Sequence, residues 1–458
     1  MSIATELTNL TNNISSAYTT IGNKGGTVPA HKNTDNLANA INSIPTSSAI
    51  VNGAITQLKA DSSTIDKDTF VEFTNSISRG TDTQLSSASG GYTNAVSEEI
   101  GTDKVFVAHS NGGYLYGVVC TISGDTITVG TAVQISTAAN SAQYVSITKL
   151  DTDKVFLSYR WGSYLYGVVC TVSGTTITAG TETEISHFSN SYYYSSATAL
   201  SSTKVFVASR TPSVTGFLCS IEGTTITVDT YKSIHSATAN DRVAAVTIDS
   251  NKVFVCFNHT YCYGVVCTIS GNDFSVGTEA QISSGATIGN LMAKKVETGK
   301  TIVVFSLSIT HQPYAVVCSI TNSTFTFGIE SPLPSYLSSN TFPYYSIGVL
   351  SDKKVFITVG YGYNCLGGVV CHIVGDSAIP GGKIQLYDTN TSSSYESASV
   401  AVLDSDRVFV SHRRGNYLWG IVATASDTTV IPATSTATGL TKTQCTTSTA
   451  GDIWVLDS

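Results

Sequence analysis

Gly117-Val-Val-Cys120 is the stretch that decides the fold, because it returns along the chain at a nearly constant interval. The other copies read Gly167-Val-Val-Cys170, Gly216-Phe-Leu-Cys219, Gly264-Val-Val-Cys267, Ala315-Val-Val-Cys318, Gly368-Val-Val-Cys371 and Gly420-Ile-Val-Ala423. Upstream of each copy lies an apolar strand, which we anchor on Phe106, Phe156, Phe206, Phe254, Phe305, Phe356 and Phe409. A block of about fifty residues, built of short strands and repeated at a fixed period, is typical of a β-propeller.

The two ends of the chain look like parts of a further blade. Arg79–Ser86 matches Gly130–Ser136, the outer strand of the first repeat, and Gly451–Asp457 resembles its second strand at 102–108. Because an open ring leaves unpaired sheet edges, we predict eight blades, the last shared between 69–86 and 440–457. The alternative is seven blades, with both ends forming separate small β-pieces. The predicted class is mainly β, a propeller at 68–458 with seven repeats in 92–437.

The N-terminal region reads as helical. Residues 2–21 place Ile3, Leu7, Leu10, Ile14 and Ile21 on an alternating four–three spacing, the seam of a short coiled coil. The segment is short and rich in weak helix formers, so we predict that oligomerisation stabilises it. The alternative is a surface helix packed on its own chain. Residues 1–47 form the predicted helical attachment region, and residues 48–67 a linker.

Composition excludes several classes of function. The net charge is −8 and only 12% of residues are charged, without a basic cluster, which argues against nucleic-acid binding. The sequence shows neither an apolar run long enough to span a membrane nor a secretory signal at its start. Six of the ten cysteines occupy one repeat position, so we expect small buried apolar side chains rather than disulfides or zinc ligands. Folding in a reducing cytoplasm fits this.

The two faces of the predicted ring differ. The first, here the uniform face, carries the turns between strands one and two and between strands three and four, with similar copies such as Leu150–Lys154 and Leu403–Arg407. Asp, Ser and Gly are what tight turns need, so a structural role is favoured there over calcium binding.

The opposite face, here the variable face, carries the turns between strands two and three and the links between blades. Its copies diverge and are rich in Tyr, Trp and Arg, a composition typical of recognition surfaces. The candidate ligand-binding residues are Arg160, Trp161, Tyr164, His259, Tyr261, Tyr361, Tyr363, Arg413, Arg414 and Tyr417. We expect Trp161 to be exposed at a loop tip, and Tyr116 and Tyr166 to pack between blades instead. The links add Tyr192–Tyr194, Tyr336, Tyr344, Tyr345 and Tyr395.

Signals of catalysis are missing from the sequence. It lacks the Asp-box of sialidase propellers, WD and kelch signatures, and any nucleophile, histidine and carboxylate at motif spacing. We therefore expect neither an enzyme nor a cofactor or metal site.

Residues 1–47 resemble the N-terminal region of structural tail proteins in phages and prophages of Gram-positive gut bacteria. The resemblance rests on Ile21–Ile44, with a Lys-Gly-Gly turn at 24–26 followed by a helix at Asn36–Ile44. The segment Gly439–Val455 resembles the closing segment of similar virion proteins, but departs from their Gly-Thr at Ser448-Thr449. The resemblance implies a virion location, attachment to other tail proteins through the N-terminus and a trimer, and brings no catalytic residues.

Two functions remain in competition. The first is a tail-fibre or receptor-binding protein whose propeller binds a host-surface glycan or protein. The second is a purely structural virion protein, such as a decoration, neck or baseplate component, whose propeller contacts other virion proteins. A depolymerase is a distant third.

Overall fold

A computed structural model of the chain describes residues 14–18, 28, 71–73, 76–86, 93–137, 142–186, 194–210, 213–236, 242–308, 312–334, 344–351, 353–361, 365–388, 398–426 and 430–432. The chain divides into two units. One comprises Met1–Glu72, Ile431–Thr446 and Ile453–Ser458, and the other Phe73–Val430 and Thr447–Asp452.

The first unit is described only in part. It contains a helix, α1, at residues 14–18, in which Tyr18 is buried and Ile14 half-buried. The other predicted seam residues, Ile3, Leu7, Leu10 and Ile21, lie outside the described residues, as do the linker at 48–67 and the chain end at 440–457. The seam and the oligomer stay predictions.

The second unit is built of strands. The first half of the chain gives β1 (Val71–Phe73), β2 (Ser76–Arg79), β3 (Thr83–Gln84), β4 (Thr93–Gly101), β5 (Lys104–Asn111), β6 (Tyr114–Ser123), β7 (Thr126–Val129), β8 (Val133–Gln134), β9 (Gln143–Asp151), β10 (Lys154–Trp161), β11 (Tyr164–Ser173), β12 (Thr176–Ala179), β13 (Thr183–Glu184), β14 (Tyr194–Ser201), β15 (Lys204–Arg210), β16 (Val214–Glu222) and β17 (Thr225–His235). The second half gives β18 (Val243–Asp249), β19 (Lys252–Asn258), β20 (Cys262–Ser270), β21 (Asp273–Val276), β22 (Ala280–Gln281), β23 (Thr287–Glu297), β24 (Lys300–Leu307), β25 (Pro313–Thr321), β26 (Thr324–Phe327), β27 (Ser331–Pro332), β28 (Tyr344–Ser351), β29 (Lys354–Tyr361), β30 (Cys365–Val374), β31 (Ser377–Asp388), β32 (Ala398–Val402), β33 (Arg407–Arg414), β34 (Tyr417–Ser426) and β35 (Val430–Pro432). β1 and β35 straddle the boundaries of the units and pair with each other.

In the described ranges, the remaining strands form seven antiparallel sheets of four or five strands. Blades 1 to 6 contain β4–β8, β9–β13, β14–β17, β18–β22, β23–β27 and β28–β31, and blade 7 contains β32–β34 with β2 and β3. The first strands of successive blades contact one another in a closed circle, in which β32 meets β4. The molecule is a β-propeller, as predicted, and it has the alternative count of seven blades.

Blade 7 explains why the preferred count of eight does not match the structure. β2 and β3 pair with β34, in the register Ser76↔Ser426 and Gln84↔Trp419. The predicted outer strand at 79–86 therefore exists, but it completes the seventh repeat instead of starting a further blade. Leu418 N donates to Ser86 Oγ at 3.1 Å, as Leu115 N donates to Ser136 Oγ at 2.9 Å in blade 1.

The hydrophobic core lies between neighbouring blades. Each of the seven apolar clusters draws its side chains from two adjacent blades, including the cluster in which Leu85 and Phe409 of blade 7 meet Val105 of blade 1. The repeat cysteines are part of these clusters. All eight cysteines whose side chains are described are buried free thiols, which confirms the prediction for this part of the chain.

A glycine on strand three of most blades faces a phenylalanine on strand two. A Cβ on Gly117 would lie 2.8 Å from Phe106 Cζ, and one on Gly216 would lie 2.6 Å from Phe206 Cζ. Such distances are too short for a carbon–carbon contact, so the phenyl ring occupies the place of a side chain. The recurring Gly-Val-Val-Cys is therefore a packing requirement of the repeat.

Blade 5 departs from this rule and corrects one sequence assignment. Its register is Ile302↔Val317 and Val304↔Ala315, which makes Ile302, not Phe305, the equivalent of Phe106. The shorter isoleucine leaves room for a methyl group, so Ala315 can stand where other blades have glycine.

Candidate binding surface

The uniform face is held together by cations. In each of the seven blades, strand two begins with a basic residue: Lys104, Lys154, Lys204, Lys252, Lys300, Lys354 and Arg407. Several of them reach the next blade, as Lys104 Nζ does to Asp153 Oδ1 at 3.7 Å and Lys300 Nζ to Asp376 Oδ1 at 3.5 Å. Carboxylates on this face therefore serve ion pairs between blades, which supports the structural role inferred for its turns.

On the variable face, Arg160 and Arg413 occupy equivalent turns of blades 2 and 7. Arg160 Nε donates to the carbonyl of Gly162 at 2.8 Å, and Arg413 Nε donates to that of Gly415 at 2.9 Å. Both glycines have a positive φ, which lets the turn reverse so tightly. Each guanidinium is thus fixed at the rim by its own turn.

Trp161 is not the exposed loop-tip residue that we expected. It is half-buried and packs against the core between blades 1 and 2, where its ring meets Tyr166 edge-on at 4.8 Å. Among the described residues, its buried Nε1 has no hydrogen-bond partner. The residue belongs to the packing of the ring, together with Tyr166, whose packing role the sequence predicted.

Arg414 lies over an aromatic ring. Its guanidinium carbon is 4.3 Å from the centre of the Trp419 ring, and its Nη1 is 3.5 Å from Asp82 Oδ2. Asp82 lies between β2 and β3, in the segment 76–86 that completes blade 7 and is called the closing strand here. Its other oxygen lies 3.5 Å from Nε2 of the buried His412. The closing strand therefore helps to position Arg414, a candidate residue of the variable face.

His259 joins an aromatic group in blades 3 and 4. Its ring centre is 5.1 Å from that of His235, which is held by Glu279 through a 2.8 Å contact between Nδ1 and Oε2. Tyr261 is half-buried beside it, and the Tyr261 carbonyl accepts from His259 N at 3.0 Å.

Of the remaining candidates, Tyr164 is half-buried and Tyr417 is exposed. Tyr361 ends β29, but its side chain is outside the described part, and Tyr363 lies outside the described residues altogether.

A glutamate that the sequence reasoning missed recurs near this rim, two residues after the glycine that starts the outer segment of the blade. Glu182 of blade 2 accepts from Thr137 N of blade 1 at 2.8 Å, and also from the buried Tyr159 hydroxyl. Burial, with this carboxylate close by, raises the pKa of Tyr159. Glu330 of blade 5 accepts from Ser284 Oγ of blade 4 at 2.6 Å. The spacing Gly-x-Glu, which blades 2, 4 and 5 share, was the available signal.

The mouth of the central channel was also missed. The first strands of all seven blades line a cavity of about 230 Å³, and Tyr144, Tyr194 and Arg242 stand where these strands begin, at the variable face. The Arg242 guanidinium carbon is 4.2 Å from the centre of the Tyr194 ring, whose centre is 4.3 Å from that of Tyr144. Only Tyr194 had been noted, as part of a tyrosine-rich link.

Chemically, the arrangement offers guanidinium donors and aromatic faces. Within the described residues, no three His, Cys, Asp or Glu side chains are grouped as a metal site requires. No helix there is both long and apolar enough to cross a membrane.

Neither a protein-family model nor a curated protein matches the sequence. Among solved structures, the core factor of S. cerevisiae is similar in fold, with a TM-score of 0.53 at 7% identity, over 79% of this chain and 62% of that one. This chain therefore spans less than two thirds of that relative. A protein of unknown function from Dyadobacter fermentans gives 0.45 at 10% identity over 76% and 99% of the two chains. SapL1 lectin, solved with alpha methyl fucoside, gives 0.42 at 11% identity over 67% and 97%.

Proposed function

We propose that this chain is a non-catalytic binding module of a phage tail, of the tail-fibre or receptor-binding type, whose variable face engages a glycan or a protein on the host surface. The observation that carries the proposal is the contrast between the cations of the two faces. On the uniform face they pair with carboxylates of the neighbouring blade, as Lys354 does with Asp406 at 2.8 Å. On the variable face Arg242 lies over the Tyr194 ring, and Arg414 lies over the Trp419 ring as well as near Asp82 of its own blade.

An arginine stacked on an aromatic ring is prepared for binding. The ring fixes the plane of the guanidinium, so less conformational entropy is lost when its donors meet a ligand. Aromatic faces pack against the C–H patches of a sugar ring, while planar donors bind its hydroxyls or an acidic group. The same composition also serves protein recognition, where tyrosine and arginine dominate interface energies.

Strand β2 begins at the face of the ring opposite the variable face. Ser76 pairs with Ser426, the last residue of β34, so the chain enters the ring at the uniform face. The variable face is at the other end of these strands. The resemblance of residues 1–47 to tail proteins supports attachment to other virion proteins through the N-terminus, a trimer, and a virion location after folding in the host cytoplasm.

A glycan array tests the proposal with the full chain. We expect binding to a subset of cell-wall or capsule glycans of Gram-positive bacteria, and at least tenfold weaker binding by the double variant Arg413→Ala and Tyr417→Ala. The control is Tyr231→Ala, which removes a tyrosine of similar exposure from the outer strand β17. Silence on the array, together with capture of virion proteins by the same chain, favours the structural alternative and overturns the proposal.

A further inference from the structure

Tyr144 adopts a backbone conformation that is costly for a tyrosine. Its φ is +54°, and it lies in a β-bulge where the pairing jumps from Ser146↔Ser158 to Gln143↔Arg160. Bulges of this kind usually hold glycine at the left-handed position, because a Cβ is strained there. Strain of this sort persists where the surrounding structure imposes it, and it concentrates at functional sites.

The surroundings hold this bulge in place. The Ser195 hydroxyl of blade 3 lies 3.4 Å from the carbonyl oxygen of Tyr144, to which it can donate, and 3.0 Å from the Ser158 hydroxyl of blade 2. Blade 3 therefore fixes the backbone of blade 2 at the channel mouth. The left-handed backbone conformation of Tyr144 is therefore held by contacts with the neighbouring blade.

The bulge places the Tyr144 ring in a row in which two tyrosine rings stand between two guanidinium groups. Arg160 lies 6.0 Å from the centre of the Tyr144 ring, Tyr144 packs on Tyr194, and Arg242 covers Tyr194 at 4.2 Å. Four side chains from blades 2, 3 and 4 thus form a continuous row at the mouth. The described members of this row include two guanidiniums and no carboxylate.

The cavity behind the row is small. Its volume of about 230 Å³ is below the roughly 300–1,000 Å³ of sites that enclose drug-sized ligands. It can receive one ring, but not a folded oligosaccharide. Glu98 also lines the channel; burial raises the pKa of its carboxyl, and the nearby Lys294 and Lys149 act against that rise.

We propose that the mouth of the central channel binds one sugar ring that carries a single negative charge. The C–H face of the sugar ring packs on Tyr144 and Tyr194, and the guanidinium of Arg242, at one end of the row, binds its carboxylate or phosphate. Arginine matches both groups through paired donors. The inference rests on the proposed function, because it names the ligand class that the variable face selects.

The test is isothermal titration calorimetry on the full chain. The probes are D-glucuronic acid, glucose 6-phosphate, D-glucose and inorganic phosphate. We expect at least one of the two charged sugars to bind ten times or more tightly than glucose and than phosphate alone, and the two charged sugars distinguish a carboxylate from a phosphate. The variants Tyr144→Gly and Arg242→Gln should each weaken that binding at least tenfold, whereas Arg79→Gln, at the exposed edge of blade 7, should not change it.

A melting curve separates binding from folding. Because glycine relieves the strain at φ +54°, Tyr144→Gly should melt at the same temperature as the natural chain or higher, while it loses the ligand. Equal binding of glucose and the charged sugars, or full binding by Tyr144→Gly, overturns the inference. If the array shows glycan binding that depends on Arg413 and Tyr417 but not on Arg242, the inference fails and the proposed function stands. If no probe and no glycan binds, both fail.

Discussion

Arg407 and Asp103 are 304 residues apart in the sequence, yet Arg407 Nη2 lies 3.2 Å from Asp103 Oδ1. The first residue belongs to blade 7 and the second to blade 1, so the contact crosses the junction where the ring closes. Arg407 also binds Asp404 in its own turn, with Nε 2.7 Å from Oδ2, and this carboxylate raises the pKa of the guanidinium further. Both partners are partly exposed, so the contact adds little free energy. Most of the free energy that keeps the ring closed must therefore come from the apolar core between blades 7 and 1, which includes Leu85.

Replacing Leu85 tests how much this core contributes to stability. It is buried at the junction of blades 7 and 1, and it is supplied by the segment that follows β3. Truncating a buried leucine costs about 2–5 kcal/mol, so Leu85→Ala should lower the free energy of unfolding by that amount in a urea titration. Ser78→Ala, on the exposed side of β2, is the control and should change it by less than about 0.5 kcal/mol. Equal stability of the two variants would show that this segment does not seal the ring.

The glycine–phenylalanine rule can be tested in blade 5. Ile302→Phe alone should place a phenyl ring against the Cβ of Ala315, and overpacking of this kind costs about 1–3 kcal/mol. Adding Ala315→Gly should recover most of that loss, because it restores the pair found in the other blades. The measurement is a double-mutant cycle by thermal melting. Additive effects of the two changes would contradict the packing explanation.

His109 should make stability depend on pH. It is buried against Tyr116, with ring centres 5.8 Å apart, and burial lowers the pKa of its imidazole from 6.5 to about 4. Between these values the unfolded state binds the proton and the folded state does not. The contribution of His109 to the free energy of unfolding is therefore fully present above pH 6.5. It is lost as the pH drops towards 4, by on the order of 3 kcal/mol.

The matched variant for this prediction is His109→Phe, since blade 4 has Phe257 at the equivalent position, opposite Tyr263. Its free energy of unfolding should lose this part of the decline between pH 6.5 and 4, while the carboxylates keep theirs. Parallel pH profiles for the natural chain and the variant would show that His109 does not titrate on unfolding.

Trp161 should prove to be a packing residue. Trp161→Phe keeps an aromatic ring beside Tyr166 and removes a buried indole N–H that has no partner among the described residues, so we expect a change below about 1 kcal/mol in unfolding free energy. Trp161→Ala opens a cavity between blades 1 and 2, with an expected loss of about 2–4 kcal/mol. An alanine variant with unchanged stability but weakened ligand binding would return Trp161 to the set of binding residues.

The repeat made the architecture predictable, because the packing of glycine against phenylalanine recurs with the same spacing in most blades. It misled us in blade 5, where Thr301–Phe305 is apolar almost throughout and Phe305 offered a false anchor three residues late. The count of blades could not be read from 79–86 either, since an outer strand looks the same whether its partner is an eighth blade or the seventh.

The mouth of the channel escaped sequence analysis for a different reason. Tyr144 lies in the bulge at the start of β9 and Arg242 directly precedes β18, where the repeats differ in sequence, so comparison of the copies gives them no alignment. Their significance comes from the left-handed backbone at Tyr144 and from the approach of blades 2, 3 and 4, neither of which leaves a pattern in the sequence. The loop-tip candidates, in contrast, were chosen by residue type, and type alone does not settle exposure, since Tyr417 is exposed whereas Trp161 is half-buried.

The closing strand also governs the order in which the chain can fold during synthesis. Ser86 leaves the ribosome early, but the backbone of Leu418 that it binds is made 332 residues later. Until then β2 and β3 lack a partner, and blade 1 presents an uncovered apolar side to its surroundings. Contacts between such distant segments form slowly and leave strand edges open to association with other chains. The nascent propeller therefore stays vulnerable to aggregation until its last blade emerges and the ring can be completed.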